Sequence, residues 1–288
     1  MSIKAAIVCH DAGATNLIVH WTRSWQIPTL AFVKGPAETI WRQSLTLIPT
    51  CDSLLEALEG TTLLISGTGW ASEIEHEARM QAKAKGIHSV AVIDHWVNYK
   101  QRFSRFSTTC LPDEIWVADA WAKQIAETEF PTIPVRQLEN LYLQDQVSKV
   151  SPPPNTGTLL YVLEPVRNDW DRGLEGEFQA LDYLLLHLDS LGTSVVRRIL
   201  LRPHPSDPEG KYHHYLTADP RIELDHSADM ASAISQADVV VGVESFALTM
   251  ALAAGRAVYS SLPPWAPALR LPQEGIRQIR RICRICPS

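Results

Sequence analysis

Short apolar runs recur along the chain, each closed by a cluster of small or polar residues. Lys4-Ala-Ala-Ile-Val-Cys9 leads into His10-Asp11-Ala12-Gly13-Ala14-Thr15-Asn16, then into an apolar helical stretch through Trp21. Comparable runs at 28–33, 61–66, 88–94 and 114–118 read as buried strands. Between them, segments such as 71–85 mix Glu, His, Arg and Lys with Ala and Ile at helical spacing. Strand and helix in alternation with short loops predict a parallel α/β domain. The right-handed crossover rule then places loops 10–16, 67–70 and 94–99 on one sheet edge, beyond the strand C-termini.

The pattern restarts after a polar, proline-rich stretch. Residues 1–142 form the first predicted domain, 143–157 a linker, and 158–288 a second domain of the same class. In the second domain strands are expected at 158–163, 196–201, 221–224, 238–242 and 256–260, with helices at 174–189, 229–236 and 246–254. Two Rossmann-like halves of this kind are expected to face one another across a central cleft. Residues 276–286 alternate Ile or Cys with Arg, which predicts one basic amphipathic helix for the partner domain or an anionic membrane surface.

Composition narrows the classes. With 288 residues and 45% apolar content the chain can bury a substantial core. A net charge of -6 argues against a broad nucleic-acid footprint but leaves room for a small phosphate pocket. The five cysteines are widely spaced and odd in number, which points to a reducing compartment rather than a disulfide framework. Cys283-Arg-Ile-Cys286 lacks the second pair a zinc site needs. No apolar run approaches the roughly 20 residues of a membrane span, and the start of the chain reads as a strand rather than a signal peptide. A cytoplasmic protein, peripheral at most to a membrane, is expected.

Two motifs in the second half suit an anionic ligand. Arg202-Pro203-His204-Pro205 ends a strand; the prolines stiffen the loop around His204, and Arg202 is suited to a bidentate bond to phosphate. Gly242-Val243-Glu244-Ser245 joins a strand to a helix. Ser245 and the free amides there suit an anion, Gly242 permits close backbone approach, and Glu244 suits ribose or base donors. A plain capped helix would explain the serine equally well.

In the first half, three loops carry the polar groups. The first offers Asp11 beside Gly13 and Asn16; the second is Ser66-Gly67-Thr68-Gly69-Trp70; the third is Asp94-His95-Trp96-Val97-Asn98-Tyr99. Asp11 and Asp94 are alternative general bases, His10 is a further candidate, and Gly13, Asn16, Gly67, Thr68, His95 and Asn98 are acceptor-side candidates. Helix capping is the competing role for Asp11.

His204-Pro205, Gly-x-Glu-Ser at 242–245 and the strand Gly255-Arg-Ala-Val-Tyr259 resemble the nucleotide-binding half of GT-B glycosyltransferases. The resemblance is to capsule and lipopolysaccharide types that use CMP-linked acidic sugars: bacterial sialyltransferases, Kdo transferases and polysialyltransferases, with the related CDP-glycerol glycerophosphotransferases. It implies a GT-B-like fold, a CMP-sugar as substrate, a glycan or lipid-linked acceptor, and no cofactor or metal. It makes His204 and Ser245 contacts of the nucleotide and Asp11 or Asp94 the base, while Arg202, His204 and Ser245 stabilise charge on the leaving phosphate. The chain is short for that group. Two alternatives stand beside it: a UDP-sugar 2-epimerase or hydrolase of the same plan, and a non-catalytic nucleotide-binding partner subunit.

Overall fold

The computed structural model describes residues 3–44, 46–192 and 196–282. The chain divides into two compact units, Met1–Tyr142 and Leu143–Ser288. Each is a parallel sheet flanked by helices, a Rossmann-like α/β unit.

In unit 1 the strands are β1 (Ala5–Cys9), β2 (Thr29–Val33), β3 (Leu63–Ser66) and β4 (His88–Ile93). A two-stranded antiparallel ribbon, β5 (Ser104–Arg105) and β6 (Thr108–Thr109), comes before β7 (Glu114–Val117) and β8 (Val135–Gln137). The sheet order is β2-β1-β3-β4-β7-β8, all parallel. The helices are α1 (Ala12–Thr22), α2 (Pro36–Gln43), α3 (Leu54–Ala57), α4 (Ile74–Lys85) and α5 (Ala120–Glu129). The order in which strands are added reverses between β1 and β3, the position where open α/β sheets leave a crevice for ligands. Two apolar layers cover the sheet: Ile7, Ile18, Val33, Ile65 and Val92 belong to one, Ala6, Val8, Leu58, Leu64 and Ala82 to the other. At roughly 1.5–3 kcal/mol for each large apolar side chain removed from water, these layers hold the strand ends in register. Helix α4 shows how local sequence sets its limits. Glu75 and Glu77 lie in its first turn, Lys83 and Lys85 in its last, and Gly86 ends it in the left-handed region at φ 66°.

Unit 2 takes up the chain within helix α6 (Leu141–Ser148). Its strands are β9 (Thr158–Val162), β10 (Arg198–Arg202), β11 (Ile222–Leu224), β12 (Val239–Gly242), β13 (Ala257–Ser260) and β14 (Arg277–Gln278). The order β11-β10-β9-β12-β13-β14 is the 3-2-1-4-5-6 arrangement of dinucleotide folds, with its switch point between β9 and β12. Helices α7 (Gly176–Leu186), α8 (His213–Ala218), α9 (Met230–Ser235), α10 (Phe246–Ala253) and α11 (Ile279–Ile282) complete it. The predicted helix 174–189 is α7 followed by a separate 3-10 turn, Leu188–Leu191.

Two segments differ from expectation. The stretch 143–157 starts helical, in α6, and is then tied to unit 2. The Ser151 amide donates to Ser235 Oγ at 3.0 Å, and the amides of Asn155, Thr156, Gly157 and Thr158 all donate to the Asp238 carboxylate. Burial of Asp238 raises its pKa, but these four amides outweigh it and hold the carboxyl below its ordinary range. The second correction concerns 276–286. Arg277–Gln278 is a strand paired with β13, and only Ile279–Ile282 is helical; 283–286 lies outside the described residues. Ile276 and Ile279 are buried in the unit, and Arg280 Nη1 donates to the carbonyls of Pro263, Ala266 and Pro267. Ile276 and Ile279 therefore serve the core, while Ile282 is 39% exposed. Among the described residues no helix is long and apolar enough to cross a bilayer.

Candidate functional site

The loops after β1, β3 and β4 meet at the switch point of unit 1. Their convergence leaves no room for a side chain at two glycines unless the facing carboxylate turns aside. A Cβ on Gly13 would lie 1.7 Å from Asp94 Oδ2, and one on Gly69 would lie 1.7 Å from Asp11 Oδ2. Asp11 and Asp94 thus reach across to neighbouring loops.

Asp11 occupies the N-cap position of α1, yet its side chain makes no capping bond. Its Oδ1 is 3.0 Å from His10 Nδ1, so the capping role falls away. Asp94 Oδ1 accepts from Arg102 Nη1 at 2.9 Å, and the same guanidinium donates to Thr68 Oγ1 and the Val97 carbonyl. Arg102 is nearly buried and its guanidinium lies 5.5 Å from the Trp70 ring centre.

Sequence reasoning missed Glu75. It reads as an ordinary acidic residue in the first turn of α4, but it is 1% exposed. Its Oε1 accepts the His10 amide at 2.9 Å and its Oε2 the Gly69 amide at 2.7 Å, which ties the ends of β1 and β3 together. Burial, and then the charge of Asp11, push its pKa up to about 7 against the pull of those amides and Arg79. A signal was available: a carboxylate shortly after a Gly-Thr-Gly loop, at a helix start, has the loop amides within reach.

The remaining first-half candidates are less uniform. Gly67 is packed against Glu75, and Thr68 Oγ1 donates to the Val92 carbonyl at 2.9 Å. Asn16 lies one turn into α1, half-buried, its carbonyl bonded to His20 Nδ1. Asn98 is exposed with φ 61°, and the His95 ring packs against Trp96 at a 58° tilt. Trp96 and Tyr99 are core residues: Trp96 Nε1 donates to Asp119 and Tyr99 Oη to the Ala122 carbonyl. Packing accounts for that aromatic density.

At the second switch point Arg202, Val162 and Gly242 are register neighbours, with β9 standing between the two motif-bearing strands. The motifs therefore flank a third strand instead of adjoining one another. His204 is exposed, with Nδ1 2.7 Å from Ser206 Oγ and its amide bonded to Asp207. Nδ1 also accepts the Ser206 amide at 3.2 Å, which leaves the ring proton on Nε2. Pro205 is exposed beside it. Asp207 is held by Lys211, which also pairs with the buried Glu177.

The other second-half candidates are engaged within the chain. Arg202 Nη1 pairs with the buried Asp225 and donates to the Ser227 carbonyl. Three donors of Arg270 grip the Glu244 carboxylate: its amide at 2.7 Å, Nε at 2.9 Å and Nη2 at 2.6 Å. Ser245 Oγ accepts the Ala247 amide at 3.2 Å and caps α10. A Cβ on Gly242 would meet the Val162 carbonyl at 3.0 Å, so the glycine serves packing between strands and helix. Just beyond β9 lies Glu164, absent from the sequence reading. Its Oε1 accepts the Glu244 amide at 3.0 Å, and its Oε2 is buried with no hydrogen-bond partner among the described residues.

No protein-family model matches this chain, and no curated protein matches it in sequence. Solved structures match in shape. A UDP-GlcNAc 2-epimerase from Methanocaldococcus jannaschii aligns over 90% of this chain and 83% of its own, with TM-score 0.61 and 9% identity. A protein of Listeria monocytogenes assigned as a UDP-N-acetylglucosamine 2-epimerase aligns over 90% and 79%, with TM-score 0.59 and 12% identity. The glycotransferase of kitacinnamycin aligns over 94% and 82%, with TM-score 0.54 and 12% identity. Likeness at these identities is one of fold: the chain has a GT-B-like architecture of two Rossmann-like units.

Proposed function

We propose that this chain is an enzyme acting on a nucleotide sugar, with unit 2 binding the nucleotide and unit 1 supplying acid–base groups. Within that class the reading as a UDP-sugar 2-epimerase or hydrolase is better supported than CMP-sugar transfer. The observation that carries it is the cluster at the unit 1 switch point, where Asp11, Glu75 and Asp94 gather with His10. Transfer to a hydroxyl needs one base. Epimerisation or hydrolysis needs groups that both take and give protons around one sugar. The fold likeness to structures named as UDP-GlcNAc 2-epimerases points the same way.

In this scheme Asp11 and His10, 3.0 Å apart, are the pair that takes and gives protons around the sugar. Asp94 is held by Arg102 and lines the same loops. Glu75 fixes the amides of His10 and Gly69. On the nucleotide side His204 Nε2 donates to a phosphate oxygen, with Arg202, Pro205, Gly242, Glu244 and Ser245 forming the surrounding strand ends. Free thiols at Cys9, Cys51 and Cys110 support a reducing, cytoplasmic setting.

The second reading, transfer of an acidic sugar from a CMP-linked donor to a glycan or lipid-linked acceptor, rests on the match at His204-Pro205 and Ser245. A panel of UDP-, CMP- and CDP-linked sugars in deuterated water separates the readings. Acceptor-free UDP release, or deuterium entering the sugar of a UDP donor, supports epimerase or hydrolase chemistry. CMP release only with an added acceptor shifts the assignment to transfer. Nucleotide binding with no turnover of any donor leaves a binding subunit.

A further inference from the structure

Helix α10 begins at the switch point of unit 2, where amides and dipole favour an anion. That position is not vacant of charge. Glu164, placed there by β9, accepts the Glu244 amide through Oε1. Its Oε2 is buried with no hydrogen-bond partner among the described residues, although the Ser245 amide faces the carboxylate and favours its ionised form. The charged groups facing it are Glu244, which repels it, and Arg270, which attracts it but is already bonded to Glu244. Tyr161 lies below it on β9, its hydroxyl bonded to Ser261. An ionised Glu164 thus leaves a buried oxygen unmatched, whereas a proton on Oε2 turns that oxygen into a donor. A ligand oxyanion at the same helix end meets a like charge in the first state and a hydrogen-bond donor in the second.

We propose that Glu164 is an internal counter-anion of the α10 terminus, and that a bound oxyanion and the ionised Glu164 exclude one another, so that binding takes up a proton from solvent wherever Glu164 is ionised beforehand. The identity of the oxyanion as the diphosphate of a nucleotide sugar rests on the function proposed above; the competition itself does not. Burial, the largest influence on Glu164, outweighs the amides of Glu244 and Ser245 and lifts its pKa to about 7. By that value the group is about nine-tenths protonated at pH 6 and about one-tenth at pH 8.

Sulfate stays a dianion across this range and probes the site alone; UDP-GlcNAc probes the nucleotide reading. Sulfate-dependent thermal stabilisation at fixed ionic strength is expected to show roughly tenfold weaker apparent affinity at pH 8 than at pH 6. In Glu164→Gln the pH dependence is expected to vanish, with affinity at pH 8 no weaker than the unmodified chain has at pH 6. The glutamine oxygen still accepts the Glu244 amide, which favours an intact fold, and the profile of the unmodified chain stands without the variant. A flat profile in the unmodified chain, an unchanged slope in Glu164→Gln, or no sulfate response in either overturns the proposal. Calorimetry with UDP-GlcNAc in buffers of different ionisation enthalpy is expected to show proton uptake that Glu164→Gln removes. Binding with the same proton uptake in both chains overturns the counter-anion and leaves the nucleotide-sugar reading intact. Absence of UDP-GlcNAc binding at every pH, with sulfate behaving as stated, removes that reading for this donor and leaves the counter-anion in place.

Discussion

Gly13→Ala places a methyl group where Asp94 Oδ2 now lies. The added carbon would be 1.7 Å from that oxygen and 2.7 Å from Asp94 Cγ. The backbone of α1 is fixed by the core behind it, so the Asp94 side chain is the part that turns away. Turning it breaks the 2.9 Å bond to Arg102, whose side chain is 8% exposed while that of Asp94 is 22% exposed. Stripping one partner from a fully buried pair costs about 3–5 kcal/mol, which the exposure of Asp94 reduces to about 2–3 kcal/mol. Arg102 keeps Thr68 Oγ1 and the Val97 carbonyl, which limits the loss further. Against this, alanine in a helix gains about 0.5–1 kcal/mol over glycine. The net expectation is a loss of about 1–2 kcal/mol, opposite in sign to the usual helical Gly→Ala change. In an Asp94→Ala background only the Cβ of residue 94 remains, 3.2 Å from the added carbon, and the same substitution is expected to be neutral or to stabilise by up to about 0.5 kcal/mol. Urea titrations of the four chains, followed by tryptophan fluorescence and circular dichroism, give the coupling directly. Stabilisation of the parent chain by Gly13→Ala, or an equal effect in both backgrounds, would refute the convergence of these two loops.

Three further outcomes follow from the sites. Glu75 and Glu164 both have folded pKa values of about 7, above the ordinary carboxyl value, so the native state holds their protons more tightly than the unfolded chain. Their contribution is whole below about pH 4 and is lost as pH rises through 7; the unfolding free energy from urea titration is expected to fall between pH 5.5 and 8.5, by on the order of 2 kcal/mol per group. A midpoint that rises over this interval contradicts the burial of these carboxylates. Asp11→Asn, whose side chain makes no capping bond, is expected to leave the melting temperature within a few degrees while turnover of an active donor falls at least 10²-fold; near-normal turnover removes Asp11 as the proton-exchanging group. His204→Ala is expected to weaken nucleotide binding about tenfold without changing stability, since His204 is exposed, and unchanged affinity in a titration removes it from the phosphate site.

What the sequence made legible was whatever is buried on both faces. Runs such as 28–33 and 238–242 lie within parallel strands covered on both sides, so their side chains are apolar without interruption, and they appear as Thr29–Val33 and Val239–Gly242. The edge strand Val135–Gln137 has no buried residue and left no such trace. Helix α6 likewise buries none of its residues, so nothing distinguishes Leu141–Ser148 from a polar connector by periodicity. The convergence of Asp11 and Asp94 followed from the crossover rule, because β1, β3 and β4 are neighbours. Partnerships across the sheet were beyond reach. Arg202 reads as a phosphate ligand until β11 brings Asp225 beside it, and Glu244 reads as a ribose acceptor until Arg270 closes on it. Buried Glu75 and half-buried Glu164 escaped for the opposite reason: a lone carboxylate carries no pattern, and only the strand ends reveal which amides it meets.

The clasp of four amides on Asp238 has a practical consequence for dissecting the molecule. The carboxylate lies at the start of β12, and its donors lie between 155 and 158, in a stretch whose composition suggests dispensable connector. A fragment that begins at Thr158 discards the Asn155, Thr156 and Gly157 donors and leaves a carboxylate short of its bonds next to the central strand of the sheet. One that begins at 151 retains the clasp, together with the Ser151 bonds to Ser235 and Arg256. The working boundary of the second unit therefore falls before the prolines, and a segment that looks like tether is the fastening of the sheet it precedes.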